Sequence, residues 1–234
     1  LQRDGEAQWF EGLQKTALQM AHKAREEANV PAREVRIAAC LPPITGSYTT
    51  NNHSFEELKD EYRQIAALQA PEVDLFLVET IASIKDAIAA TEAALENCKP
   101  VLLSFTLSDE NPLALRSGES LAEALKAVSA LPLDGLLFNC SFPETISRGM
   151  EAARQTGIPF GGYANGFTSV KPLHLGNTVD VLTARADLDK EKFASFAMKW
   201  VREGASVVGG CCEVGPAWIG HLRHKLQENG YQLA

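Results

Sequence analysis

Residues Ser206–Pro216 read SVVGGCCEVGP: a short apolar run, two glycines, two adjacent cysteines and then a proline placed to open a helix. Side chains alternate faces along a regular strand, so Cys211 and Cys212 cannot point the same way from one. Gly209 and Gly210 are expected to let the backbone leave β geometry there, bringing both sulfurs together. The same unit occurs upstream, where Asp134–Cys140 (DGLLFNC) is an apolar run ending in a cysteine, with a helix predicted from Phe142. A strand whose last residues carry the chemistry, followed at once by a helix, is the repeating unit of parallel α/β proteins.

Outward from these two stretches the unit repeats. Strands are predicted at Val35–Cys40, Val73–Glu79, Pro100–Thr106, Asp134–Cys140, Ile158–Ala164 and Ser206–Gly210. Ser54 with Glu57, Ser120 with Glu123 and Ser141 with Glu144 each form a capping-box pattern at a helix start. Further helices are predicted over Ser83–Asn97, Asp189–Glu203 and Pro216–Asn229, the last stopped by Gly230. A leading helix over Glu6–Asn29 carries Phe10, Leu13, Ala17, Met20, Ala21, Ala24 and Ala28 at helical spacing and closes before Pro31. The strands are nearly continuous apolar runs, as in a parallel sheet covered on both faces. No linker or low-complexity tract interrupts the order, so residues 1–234 read as a single domain.

The loops choose between parallel architectures. Those after strands are long and carry the unusual residues, while those after helices are short, which puts a site at the strand C-terminal ends. No Gly-x-Gly-x-x-Gly follows any strand, which leaves nucleotide binding without support. A (β/α)8 TIM-type barrel is therefore expected, although the six strands counted fall short of the eight needed for closure.

Composition narrows the partners. Of 234 residues, 45% are hydrophobic and 22% charged, and the formal net charge is −8. That balance and the absence of a Lys/Arg cluster argue against nucleic acid, and no apolar run is long enough for a membrane helix. Five cysteines do not make a disulfide scaffold in a chain this size, so a reducing, cytoplasmic setting is expected.

Cys140, Cys211 and Cys212 are the candidate metal ligands: three thiolates can hold zinc and leave its fourth position open. A lone Cys140 would read as a small hydrophobe, but an adjacent pair after Gly-Gly would not. A vicinal Cys211–Cys212 disulfide switch is the alternative. Cys98 follows a helix, on the stable end of such a barrel, and reads as structural; Cys40 ends a strand on the site side and is a possible decoy ligand. Glu79 and Thr80 end another strand, where the carboxylate would either hold a substrate ammonium group or cap the next helix. Tyr163 and Asn165 could line the pocket, Asn165 being equally explicable as turn chemistry. His53 and His174 lie in loops at the same end, where histidines are usually just solvated, and His221 with His224 is expected on the outer face of the last helix.

Taken together, FNC at Phe138–Cys140, GGCC at Gly209–Cys212, LVET at Leu77–Thr80 and Tyr163-x-Asn165 resemble the zinc-dependent homocysteine S-methyltransferase family, with Ala164 where a proline is frequent. The resemblance implies a (β/α)8 barrel, Zn2+ on Cys140, Cys211 and Cys212, and Glu79 on the amino group of homocysteine. It implies methyl transfer to zinc-bound homocysteine thiolate, giving methionine. It also equates the six strands with strands three to eight, so that the first two strands, with the family's Asp-Gly motif, are expected to be missing. With no cobalamin module and no betaine-branch extension in this chain, the expected donor is S-methylmethionine or S-adenosylmethionine. The alternatives are a selenocysteine methyltransferase and a non-catalytic zinc- or redox-responsive thiol protein.

Overall fold

The computed structural model describes residues 7–28, 35–175 and 179–233; the side chain of His174 and the expected stop at Pro31 lie outside the described residues. After helix α1 (Phe10–Glu27), strands and helices alternate: β1 (Ala38–Leu41), α2 (Phe55–Gln69), β2 (Leu75–Ile81), α3 (Ile84–Leu95), β3 (Val101–Phe105) and α4 (Leu121–Val128). Then come β4 (Gly135–Asn139), α5 (Pro143–Ala153), β5 (Phe160–Ala164), α6 (Lys190–Arg202), β6 (Val207–Gly210) and α7 (Pro216–Glu228). Every predicted strand and helix is present, with ends shifted by a few residues.

The six strands form one sheet in the order β1-β2-β3-β4-β5-β6, each pair parallel. A doubly wound open sheet would reverse its strand order at a switch point. Here the order runs straight through, as in part of a (β/α)8 barrel.

The sheet's two faces differ. Phe76, Val78, Leu103, Phe105, Leu136 and Phe138 point outward under the helices and are fully buried. Each contributes about 1.5–3 kcal/mol relative to exposure, which makes this face the main source of stability. On the opposite face Leu75, Leu77, Glu79 and Tyr163 are only half-buried. At β5 and β6 the backbones approach so closely that a Cβ on Gly161 would lie 2.0 Å from the Val207 carbonyl oxygen, which restricts that position to glycine.

Local caps start most helices where the sequence places them. Ser54 accepts from the Glu57 N–H while the Glu57 carboxylate accepts from the Ser54 N–H, a reciprocal box at α2. Ser83, Ser120 and Asp189 cap α3, α4 and α6 in the same way from one side. On α7, Trp218 packs edge-on against Phe193 at 5.6 Å. His221 does not share the outer face with His224: its side chain is 15% exposed and sits 3.0 Å from Glu191 of α6. Among the described residues no helix is long and apolar enough to cross a membrane.

Candidate metal centre

Strands β4, β5 and β6 end side by side, and the cysteines lie one step beyond two of those ends. Cys140 follows Asn139, donates its N–H to the Tyr163 carbonyl at 3.4 Å and turns into the left-handed region with φ 50°. Cys211 still bonds like a strand residue, donating to the Ala164 carbonyl at 2.8 Å, before the chain reverses through Glu213 (φ 68°). Gly209 and Gly210 stay inside β6, contrary to the expectation that they bend it. Gly210 has a different cause: a Cβ there would lie 2.1 Å from the Val214 side chain, which folds back under the turn.

The sulfurs of Cys140, Cys211 and Cys212 lie within 4.8 Å of one another, and this trio is the sole group of its kind found among the described residues. Cys140 and Cys211 are joined as a disulfide with their Cα atoms 5.8 Å apart, where three free thiols were expected. The bridge runs between strands and not between the vicinal pair. Adjacent Cα atoms are held about 3.8 Å apart by the peptide unit, short of the roughly 4.4–6.8 Å that a disulfide spans. Cys211 and Cys212 keep their sulfurs 3.9 Å apart. Tetrahedral zinc–thiolate bonds of about 2.3 Å imply sulfur–sulfur edges of about 3.8 Å, so in the reduced state the donor set fits a thiophilic cation. Burial pushes the Cys212 thiol upward, so metal uptake would have to displace its proton.

Beside the cysteines the half-buried face of the sheet carries a polar layer. The Glu79 carboxylate accepts from the Tyr163 hydroxyl at 2.8 Å and from the Cys40 thiol at 2.9 Å. Burial, then the Glu79 charge, push the Tyr163 phenol well above its ordinary range, so it acts as a neutral donor. Cys40 thus belongs to the carboxylate and not to the sulfur cluster. Helix α3 takes its cap from Ser83, so Glu79 is free of that role. Thr80 is left-handed (φ 62°), which shifts the β2–β3 register between Val78 and Ile81. Asn139, fully buried, explains how it is held: its Oδ1 accepts from the Thr80 N–H at 2.9 Å and from Ser104 at 2.8 Å. Its Nδ2 donates to the Thr80 hydroxyl at 2.8 Å and points toward Cys211 Sγ at 4.0 Å. Sequence reasoning read Asn139 as the middle residue of the FNC stretch and gave its side chain no role.

The predicted capping box at Ser141 does not form. Ser141 is fully buried and its hydroxyl bonds to Leu107 and to the Asn139 carbonyl, while Glu144 pairs with Arg185 at 2.8 Å. The helix starts at Pro143, and the carboxylate that caps it is Asp109, from the β3–α4 loop, which accepts from the Phe142 N–H at 2.8 Å. Asp109 and its partner Arg116 were missed because their loop, rich in Asp, Asn, Ser and Gly, reads as turn chemistry.

Tyr48, Phe167 and Val170 close over Cys140, with Cys211 and Cys212 packed against them. Burial, then the neighbouring Cys212, push the Tyr48 phenol up to about 12. A cleft of about 380 Å³ opens next to this cluster, lined in part by Ser108, Asp109, Arg116, Phe142 and Val170. Asn165 is fully buried; its Oδ1 accepts from the Phe167 N–H at 3.2 Å and its Nδ2 has no hydrogen-bond partner. His53 faces Glu61 at 3.5 Å and is not among the clustered ligands. Cys98 is likewise separate and exposed.

Comparison with known proteins points to one family. The family model described as homocysteine S-methyltransferase matches residues 2–226. Homocysteine S-methyltransferase 4 of Zea mays is 22% identical over 241 residues, which cover 94% of this chain and 69% of that protein. Betaine-homocysteine S-methyltransferase of Drosophila melanogaster is 28% identical, with 76% of this chain and 56% of that one aligned. Selenocysteine Se-methyltransferase of Brassica oleracea var. italica is 26% identical, with 74% and 49% aligned. Two of these three relatives are thus matched over only about half their length. Among solved structures, the metallated form of the homocysteine methyltransferase MmuM from Escherichia coli superposes with a TM-score of 0.74 at 21% identity, covering 92% of this chain and 70% of that one. That likeness establishes the shared fold.

Proposed function

The chain belongs to the homocysteine S-methyltransferase family, and from that premise we propose that it transfers a methyl group to the sulfur of homocysteine, giving methionine. The observation that carries the reading is the convergence of Cys140, Cys211 and Cys212 at the ends of β4 and β6, with the Glu79 carboxylate on the same face. Zinc is the metal we assign to the three sulfurs; when bound, it would let a substrate thiol react as thiolate at neutral pH.

The chain's own residues supply position. Glu79 is the group we assign to the substrate's ammonium, and Tyr163 and Cys40 hold its two oxygens so that the carboxylate does not rotate. Asn139 locks the left-handed Thr80 next to it, which sets the direction in which Glu79 leaves the strand. The expected contribution of Thr80 is thereby indirect. Asn165 offers a buried, unpaired amide donor, a reason to keep it among the candidate substrate contacts. Tyr48, Phe167 and Val170 exclude water from around the sulfurs, which favours attack on a charged methyl donor whose leaving group departs neutral. A sulfonium compound, S-methylmethionine or S-adenosylmethionine, has that property, and because the proposed metal site requires all three sulfurs reduced, the setting we assign is cytoplasmic.

A second reading has one observation behind it. The Cys140–Cys211 disulfide would suit a thiol protein that responds to oxidation. One experiment separates them: reduced, zinc-loaded protein is given homocysteine or selenocysteine with S-methylmethionine, S-adenosylmethionine or betaine, and methylated product is measured. Methionine from a sulfonium donor, lost on chelation, is the expected result. No product with any pair, alongside reversible oxidation of Cys140 and Cys211, would favour the thiol switch.

A further inference from the structure

Arg116 and Asp109 form an ion pair at 2.8 Å, with side chains only 7% and 12% exposed. Burying such a pair costs desolvation that its mutual attraction seldom recovers, so a gain in stability does not account for it. What it holds does. Arg116 Nε donates to the Thr106 hydroxyl at 3.0 Å, and Nη2 reaches the Cys140 carbonyl at 3.3 Å. The guanidinium also lies 5.0 Å from the centre of the Tyr48 ring, which packs on the cysteine cluster. Asp109 extends the grip in the other direction: Oδ1 accepts from the Phe142 N–H at 2.8 Å and from the Thr145 hydroxyl at 3.1 Å.

Cys140 is therefore held by the pair on its C-terminal side, through its own carbonyl and through the N–H two residues on, while its N–H is held by the Tyr163 carbonyl. Its left-handed backbone, φ 50°, costs a non-glycine residue about 1–2 kcal/mol and persists only where the surroundings over-determine it. That conformation brings the Cys140 sulfur over to Cys211 and Cys212 on the far side of β5.

We propose that the Arg116–Asp109 pair is a positioning element for Cys140, and that it sets the affinity with which the sulfur cluster takes a thiophilic divalent cation. The inference rests on the reading of Cys140, Cys211 and Cys212 as metal ligands. Groups that orient a ligand without touching the metal typically control metal affinity by about 10–100-fold. A pair that only capped α5 would change thermal stability and leave the metal affinity of folded protein alone.

The test is a Co2+ titration of the reduced chain, read from the thiolate-to-cobalt absorption, with far-UV circular dichroism on every sample. Arg116→Met is expected to weaken Co2+ binding by about 10–100-fold and to alter the absorption band. Arg116→Lys should recover part of the affinity, since an ammonium can reach one acceptor at a time where the guanidinium reaches several. Asp109→Asn keeps an acceptor for the Phe142 N–H but removes the charge, and should fall between wild type and Arg116→Met. Folded Arg116→Met and Asp109→Asn proteins with wild-type affinity and an unchanged band would overturn the proposal. Should Arg116→Met fail to fold, Asp109→Asn decides by the same criterion. A reduced wild type with no thiolate–cobalt band at all would refute the ligand reading itself and the clamp with it, an outcome distinct from equal binding by all variants.

Discussion

Cys98 and Cys140 share a residue type and a backbone state and sit at opposite ends of the sheet. Both are left-handed, with φ 54° and φ 50°. Cys98 follows α3, where the left-handed turn is an ordinary way to end a helix: its N–H bonds back to the Leu95 carbonyl at 3.1 Å, and its side chain is exposed. Cys140 follows a strand, is 4% exposed, and is held by Arg116 and by its bond to the neighbouring strand. At Cys98 the conformation is a local matter, indifferent to the sulfur. At Cys140 it is imposed by tertiary contacts, and its consequence is where the sulfur points.

The largest expected effect tests that contrast on the metal. Cys140→Ser, Cys211→Ser and Cys212→Ser should each strip most of the zinc from reduced protein, and Cys98→Ser should strip none. Zinc per chain after gel filtration is the measurement; full occupancy in Cys140→Ser would erase the difference between the two ends. Next in size is Glu79→Ala, which should keep its zinc while homocysteine binding weakens by about 1.5–3 kcal/mol, roughly one to two decades. Unchanged affinity in a zinc-loaded variant would return Glu79 to a structural role.

A smaller effect separates local from imposed strain. Cys98→Gly relieves a left-handed residue at the cost of a more flexible unfolded chain, so urea unfolding should show a gain of up to about 1 kcal/mol. Cys140→Gly relieves the same strain but removes the buried sulfur, and should show no gain. The smallest effect concerns ion pairs at the two ends. Arg185, 12% exposed, holds the Glu144 carboxyl below its ordinary range near the cysteines. A lowered folded value means stabilisation present above the unfolded carboxylate range and lost as pH falls through the folded one. Arg185→Gln should therefore flatten the acid limb of the stability profile below roughly pH 5. Arg63→Gln, at the exposed pair with Glu96 near Cys98, should change stability by less than about 1 kcal/mol. Equal acid limbs in wild type and Arg185→Gln would show that the cysteine end gains nothing from its pair, in which only Arg185 is largely buried and Glu144 is 48% exposed.

Much of the fold was legible because its signals are local. Apolar runs placed all six strands, and Ser54, Ser83, Ser120 and Asp189 cap helices within three residues of themselves. The cap at α5 was misread because the same rule was applied where it does not operate: Ser141 is drawn inward to Leu107, and the capping carboxylate comes from 33 residues upstream. Gly210 was assigned the right importance for the wrong reason, since its constraint is the Val214 side chain and not a bend. His221 was placed outside because the helix's own periodicity says nothing of Glu191 on the preceding helix.

By itself, then, the sequence determined the order of strands and helices and the identity of the three clustered cysteines, because periodicity, turn chemistry and thiol softness are properties of short stretches. Tertiary structure alone decided that Cys140 pairs with Cys211 across β5, that Asn139 reaches across to Thr80 and Ser104, and that Arg116 and Asp109 close on Cys140. Those contacts join residues many positions apart, and in a parallel sheet each must wait for a helix to return the chain before two strand ends can lie side by side.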